Sequence, residues 1–389
     1  MPPHAKPTIL AIALAAIVSA APTALRADDI KLPSTLTFTA YDTGSSGFNI
    51  AVAVGKMLKD LHKAEVRVLP AGNDVARLAP LRANRAQISA MGIGIYYAQE
   101  GVLEFAVKEW GPQALQTLMS AIDCNGLALG VAKDTGVKEM KDLKGKRVGF
   151  VVGSPALNQN ALAMIAFGGL TKSDVKIVEF ASYGAMWKGV VNNDVDAAFA
   201  STISAQNKEV ETSPRGLVWP PLPRNDAAGW ERLKKVAPYF TPYTATCGSG
   251  ISASAPIEMG TYPYPIFTAY ASQPDELVYG ITKAMIKDYE AYKDGAPGAT
   301  GLALDKQTLQ WVVPIHPAAV KAIREAGKWT DADEKHNQGL LRRQQVLADA
   351  WAAYLKTNPP DDAAQFRAGW MKARGDALAT AGLPVGFGE

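Results

Sequence analysis

The chain reads as an α/β protein with two α/β halves in series, and three observations predict it. Residues 36–61, LTFTAYDTGSSGFNIAVAVGKMLKDL, switch from period-two alternation to helical spacing across a Gly/Ser turn. Residues 148–167 repeat the order of strand, Gly-Ser-Pro, helix. A late apolar run, Ile266 to Tyr270, follows a Tyr/Pro/Gly/Ser-rich stretch at 239–265, as expected of a chain returning from its second half to its first. At 389 residues there is enough chain for two cores.

In the first half, Leu36, Phe38 and Ala40 alternate with Thr37, Thr39 and Tyr41, which predicts a strand. The chain breaks at Thr43-Gly44-Ser45-Ser46-Gly47, and Ile50, Val54, Met57 and Leu61 then form one helical stripe. A strand at 65–69 leads through Pro70-Ala71-Gly72-Asn73-Asp74 to a helix carrying Val75, Leu78 and Leu81, with Asn73 or Asp74 as N-cap. A strand from Gln87 to Gly92 precedes a helix through Tyr96, Tyr97 and Val102. This βαβαβα order predicts parallel strands with right-handed crossovers.

Residues 115–133 read as one long extended run with Asn125-Gly126 in its middle. The second half follows: a strand at 148–152, a helix at 157–167, a strand at 175–180, a helix through Met186 and Val190, and a short strand at 194–200 ending in Ser201-Thr202. Residues 214–229 read as irregular, before a short helix at 230–236. Pro274-Asp275-Glu276 opens a helix carrying Leu277, Ile281 and Met285. Thr330-Asp331-Ala332-Asp333 has the form of a capped helix start, and two helices follow, with Leu347, Trp351 and Tyr354 on one stripe and Phe366, Trp370 and Met371 on another.

The first residues have the order of a secretory signal: Lys6, an apolar run TILAIALAAIVSA, and small residues up to Ala27. Cleavage there removes Lys6 and Arg26, so the 40 basic residues become 38 against 37 acidic ones, a net +1. That balance excludes a basic nucleic-acid footprint, and no later stretch reaches membrane-spanning length. In an exported chain the two cysteines, Cys124 and Cys247, are expected to pair; the competing reading is two separate buried thiols.

Catalytic chemistry is thinly provided. Three histidines remain after cleavage, His62, His316 and His336, and no HExxH or His/Cys spacing appears. Asp331 and Asp333 read as first-turn helix charges rather than a calcium loop, because Lys335 holds the next ligand position. TGSSGF and TCGSGIS both miss the GxSxG spacing. No catalytic residue, metal or cofactor is expected. The loops after the predicted strands do carry ligand-binding chemistry: free N–H groups at a helix start, flanked by serine hydroxyls, suit a carboxylate or phosphate.

The strings TGSSGF, DLKGKRVGFVVGSPALNQNAL, YGAMWKGVVNNDVDAAFAS and VPIHPAAVKAIREAGKW, in that order, resemble the TAXI family, the extracytoplasmic solute receptors of tripartite ATP-independent periplasmic (TRAP) transporters. The resemblance covers roughly 36–330. It implies a two-lobed, type II-like periplasmic binding protein that takes a small organic acid between its lobes. It also implies delivery of that acid to integral-membrane TRAP permease subunits driven by an ion gradient. The implied layout is a signal peptide at 1–27, a first part of lobe 1 at 28–126, lobe 2 at 127–260, and a return to lobe 1 with C-terminal helices at 261–389. The mature protein is expected in the periplasm as a monomer, with no membrane insertion and no nucleic-acid partner. Rival readings are a binding protein of an ABC importer and an enzyme on the same scaffold.

The expected ligand contacts are Thr43, Gly44, Ser45, Ser46, Gly47, Phe48 and Asn49 on the first turn, and Asn73 and Arg77 on the second loop. Gly153, Ser154, Asn158, Tyr183 and Ser201 are expected from the other lobe. The sequence departs from the family where Gly47-Phe48-Asn49 follows the first turn, at Arg77, and at Gly92, where a glutamine is usual. Arg77 is either a bidentate carboxylate clamp or a solvated helix-face arginine beside Arg82 and Arg85. Phe48, Tyr96, Tyr183 and Trp187 are either an apolar wall for a larger solute or core.

Overall fold

The computed structural model describes Met1 and residues 30–387. The expected signal peptide falls at 1–27 and so lies, but for Met1, outside the described residues.

The elements run β1 (Thr35–Ala40), α1 (Ser46–His62), β2 (Glu65–Pro70), α2 (Asp74–Arg82), β3 (Ile88–Met91), α3 (Gly94–Glu100), β4 (Leu115–Ser120), β5 (Leu127–Ala132), β6 (Arg147–Val151) and α4 (Pro155–Phe167). They continue with β7 (Lys176–Phe180), α5 (Tyr183–Val191), β8 (Ala197–Ser201), α6 (Ala205–Thr212), β9 (Leu217–Val218), α7 (Ala227–Val236), β10 (Thr241–Ala245), β11 (Ile257–Thr261) and β12 (Ile266–Tyr270). The last helices are α8 (Asp275–Lys287), α9 (Pro317–Glu325), α10 (Asp331–Lys356) and α11 (Ala363–Thr380).

Two sheets result. The first has the order β2-β1-β3-β12-β4; the second has β10-β11-β5-β8-β6-β7, with β9 paired to β5. β1 is parallel to β2 and β3, as the βαβ order requires, while β12 runs antiparallel between β3 and β4. β6 is parallel to β7 and β8, and β5 is antiparallel to β8. The architecture is therefore two α/β halves, here called lobe 1 and lobe 2. The chain crosses between them at 121–126 and again at 262–265.

The structure corrects three local expectations. The extended run at 115–133 is two strands in different sheets, β4 and β5, parted at Asn125-Gly126. The irregular stretch at 239–265 holds β10 and β11, which pair through five residue positions and extend the edge of the second sheet. On α1, Ile50, Val54 and Met57 are buried, but Leu61 is 52% exposed, because the last turn overruns the sheet it packs on.

The C-terminal pair α10–α11 is fixed to lobe 1. Thr330 and Asp333 form the capping box that starts α10. Trp351 packs edge-on against Phe366 and Trp370, and the Trp370 indole donates to the Gly101 carbonyl. Beneath them the fully buried Glu100 carboxylate at the end of α3 accepts from Arg343 at 2.7 Å on both oxygens and from the fully buried Arg374. Burial pushes this carboxyl up, but the two guanidiniums outweigh it and hold the group below its ordinary value.

Candidate functional site

The carboxyl ends of β1, β2 and β3 face those of β6, β7 and β8, and the lobes bond to one another directly. Val75 N–H donates to the Gly153 carbonyl at 3.2 Å, Tyr183 N–H to Gly72 at 3.0 Å, and Ala205 N–H to Gly44 at 3.0 Å. The Gln206 amide reaches the Thr43 carbonyl at 3.0 Å. Gly72 is required by this approach: a Cβ there would lie 2.3 Å from Cβ of Ser182.

Three helices, α1, α4 and α5, present their N-termini to this seam, where unpaired N–H groups and the macrodipole favour negative charge. Each meets an oxygen of the chain itself. At α1 the Tyr264 hydroxyl lies against Gly47, where a Cβ would sit only 2.9 Å from it, and Ser45 serves as N-cap by accepting from Phe48 N–H. At α4 the Asp74 carboxylate of lobe 1 accepts from Ala156 N–H at 2.8 Å and from the Ser154 hydroxyl at 3.2 Å. At α5 the Asp42 carboxylate, also of lobe 1, accepts from Gly184 N–H at 2.7 Å.

Between these points lies a cavity of about 20 Å³, room for about one water. Its wall is phenolic: Tyr41, Tyr183, Tyr262 and Tyr264 line it with Asn160, Ser201, Ser204 and Gly92. The Tyr41 and Tyr183 rings meet at 5.7 Å, tilted by 35°. Asn160 is held from both sides, accepting from Tyr239 at 2.7 Å and donating to Tyr262 at 2.9 Å, while Tyr239 meets Tyr97 of lobe 1 at 2.8 Å. Burial raises Tyr41, Tyr183 and Tyr262, so all three face the cavity as neutral phenols.

Of the expected contacts, Tyr183 and Ser201 line this cavity. The Ser201 hydroxyl also accepts from Asn125. Gly44, Ser45, Ser46, Gly47, Asn73, Gly153 and Ser154 lie on the seam around it, whereas Thr43 is exposed and Phe48 and Asn49 are half-buried on the first turn of α1. Asn73 caps α2, and Asn158 spends both ends of its amide on the Val151 backbone.

Arg77 corrects both readings made of it. It is fully buried, paired with Asp74, bonded to the Ala90 carbonyl at 3.0 Å, and stacked 3.3 Å from the centre of the Tyr41 ring. It supports the wall from behind rather than offering a clamp or a solvated charge. Trp187 is core at 1% exposure, and Tyr96 packs outside the cavity against Phe387. Sequence reasoning missed Tyr41, Asp42, Asp74, Asn160, Ser204, Tyr262 and Tyr264. One signal was available, since Asp74 and Arg77 stand three apart on one helix face.

Cys124, within the first crossover, forms a disulfide with Cys247 of the loop after β10. Among the described residues no group of three or more His, Cys, Asp or Glu side chains is placed to hold a metal ion, and no helix is long and apolar enough to cross a membrane.

Residues 39–327 match the NMT1-like family. Among solved structures the chain is similar to the alkanesulfonate-binding protein SsuA from Xanthomonas axonopodis pv. citri bound to MOPS, at 13% identity and a TM-score of 0.40, over 83% of this chain and 93% of that one. It is similar to an ancestral arginine-binding protein bound to arginine at 17% identity and a TM-score of 0.40, over 68% and 97%. It is also similar to the second substrate-binding domain of Lactococcus lactis GlnP in its open conformation, at 13% identity and a TM-score of 0.34, over 70% and 96%.

Proposed function

The chain belongs to the NMT1-like family, and from that premise we propose that it is an extracytoplasmic solute receptor. It holds a small organic acid between its lobes and passes it to a TRAP-type membrane permease driven by an ion gradient. One observation supports the choice of an acid: the N-termini of α4 and α5 at the seam already hold carboxylates, those of Asp74 and Asp42. Helix starts that bind a side-chain carboxylate have the donors to bind a solute's. The phenolic wall supplies hydroxyl donors and ring faces for the rest of the molecule. A cavity of about 20 Å³ is too small for such a solute, so binding requires the lobes to part and close again around it.

The test is a thermal-shift screen of the mature protein against dicarboxylates, 2-oxo acids, aromatic acids and amino acids. A true ligand at 100 to 1,000 times its dissociation constant adds about 3–4 kcal/mol of stability. That gain is lost in Tyr183→Ala, which removes a wall residue. A protein that no acid stabilises refutes the acid reading. For the transport step, uptake by the reconstituted receptor and permease follows an imposed ion gradient and proceeds without ATP.

A further inference from the structure

We propose that Asp42 is an exchangeable internal carboxylate: it occupies the position on α5 that a solute's acid group takes over on binding. This rests on the acid-receptor reading and names where the acid goes. The two carboxylates on the seam are not equivalent. Asp74 is fully buried and tied within its own lobe to Arg77 and to the Tyr41 hydroxyl at 2.9 Å. It keeps those partners however the lobes move, so it is a fixed part of the wall.

Asp42 is half-buried, and its carboxylate has no cation beside it among the described residues. The bond it makes is to the other lobe, to Gly184 N–H at 2.7 Å on the second residue of α5. When the lobes part, that bond is lost, and the start of α5 presents a free donor. A second observation concerns the residue just before Gly184. Tyr183, the first residue of α5, is buried to 3% exposure and lines the cavity, and its hydroxyl lies beside that of Ser204 without a well-formed hydrogen bond. In this proposal a solute acid on Gly184 N–H takes its second bond from this phenol, which belongs to the preceding residue. Asp42 satisfies only the first of the two, so a solute acid makes the more complete set of bonds and displaces it.

The experiment is chemical rescue, read by the separation of the lobes rather than by binding of an unidentified solute. Spin labels at Lys56→Cys on lobe 1 and Lys188→Cys on lobe 2, both exposed positions, report the distance in the otherwise intact mature protein. With no solute added, Asp42→Ala lengthens the label distance relative to the labelled parent. Acetate, a carboxylate small enough to replace the lost side chain, restores the shorter distance at a concentration about tenfold below any effect on the parent. Asp42→Asn keeps an oxygen for Gly184 and opens less.

The proposal is overturned if Asp42→Ala gives the parent distance, or if it opens and acetate leaves it open. The acid-receptor reading fails separately, through an unresponsive parent in the thermal screen. Acetate rescue supports the exchange position when an acid also stabilises the parent in that screen; rescue with no stabilising acid overturns the exchange.

Discussion

Replacing Glu100 by glutamine keeps the shape of a fully buried side chain and removes its charge. In the parent, that carboxylate faces Arg343 at 11% side-chain exposure and Arg374 at 0%. The variant leaves two guanidiniums around a neutral amide, with no other acid bonded to either among the described residues. Breaking a buried ion pair by removing one partner costs about 3–5 kcal/mol, because the remaining charge is desolvated without compensation. Unfolding entropy of about 2.1 cal/mol/K per residue over roughly 360 folded residues is roughly 0.75 kcal/mol/K, so the melting temperature falls by about 4–7 °C. Differential scanning calorimetry at pH 7 reads this directly. Simultaneous replacement of Glu100, Arg343 and Arg374 by leucine and two methionines recovers most of the loss, since an apolar cluster of similar volume carries no desolvated charge. A melting temperature within about 1 °C of the parent in Glu100→Gln refutes the reasoning, and so does a triple variant less stable than the single one.

The same carboxyl sets an acid limit. Its folded value lies below the ordinary 4.5, so its contribution is present above that pH and is lost as pH falls through the folded value; acid denaturation is therefore steeper in the parent than in Glu100→Gln. The Cys124–Cys247 bond spans a sequence separation of 123, for which loop-closure entropy predicts roughly 4.9 kcal/mol; Cys124→Ser/Cys247→Ser lowers urea stability towards that amount, and the oxidised parent yields no thiol to a titrant under denaturant. Tyr239→Phe strands the Asn160 carbonyl and a bond of the Tyr97 hydroxyl, at a cost of about 1–3 kcal/mol in the same assay. Gly72→Ala sets a methyl group against Ser182 across the seam and lengthens the Lys56–Lys188 label distance; an unchanged distance contradicts the tight approach.

The first half was legible because its pattern switches cleanly. Alternation at 36–41 and helical spacing from Ile50 belong to elements with one buried face each, and β1 and α1 fall where those signals do. The strands β10 and β11 were hidden because neither alternates, and β10 is the edge of its sheet. Pro242 interrupts β10, and its exposure falls gradually along the strand instead of alternating, so no period-two signal exists to read. Arg77 was misread in both directions because its local partner Asp74 was read only as a helix cap, and the ring that covers the pair, Tyr41, comes from the turn after β1. The cavity wall draws Tyr41 from the residue after β1, Asn160 from α4, Tyr183 from α5 and Tyr262 from the second crossover. No local window contains more than one of these four, whereas the glycine-serine turn advertised itself in five consecutive residues.

The close seam at Gly72 and Ser182 also bears on time. For the receptor proposed above, backbones that touch at Gly72 and Ser182 tie the exit of a held solute to separation of the lobes. Dissociation rates for solutes of different affinity then share one ceiling, the opening rate of the protein itself. Weak and strong ligands differ below that ceiling in how many times the lobes reclose before the solute diffuses away. A substitution that loosens the seam without touching the wall, as Gly72→Ala does, raises the ceiling for all of them alike.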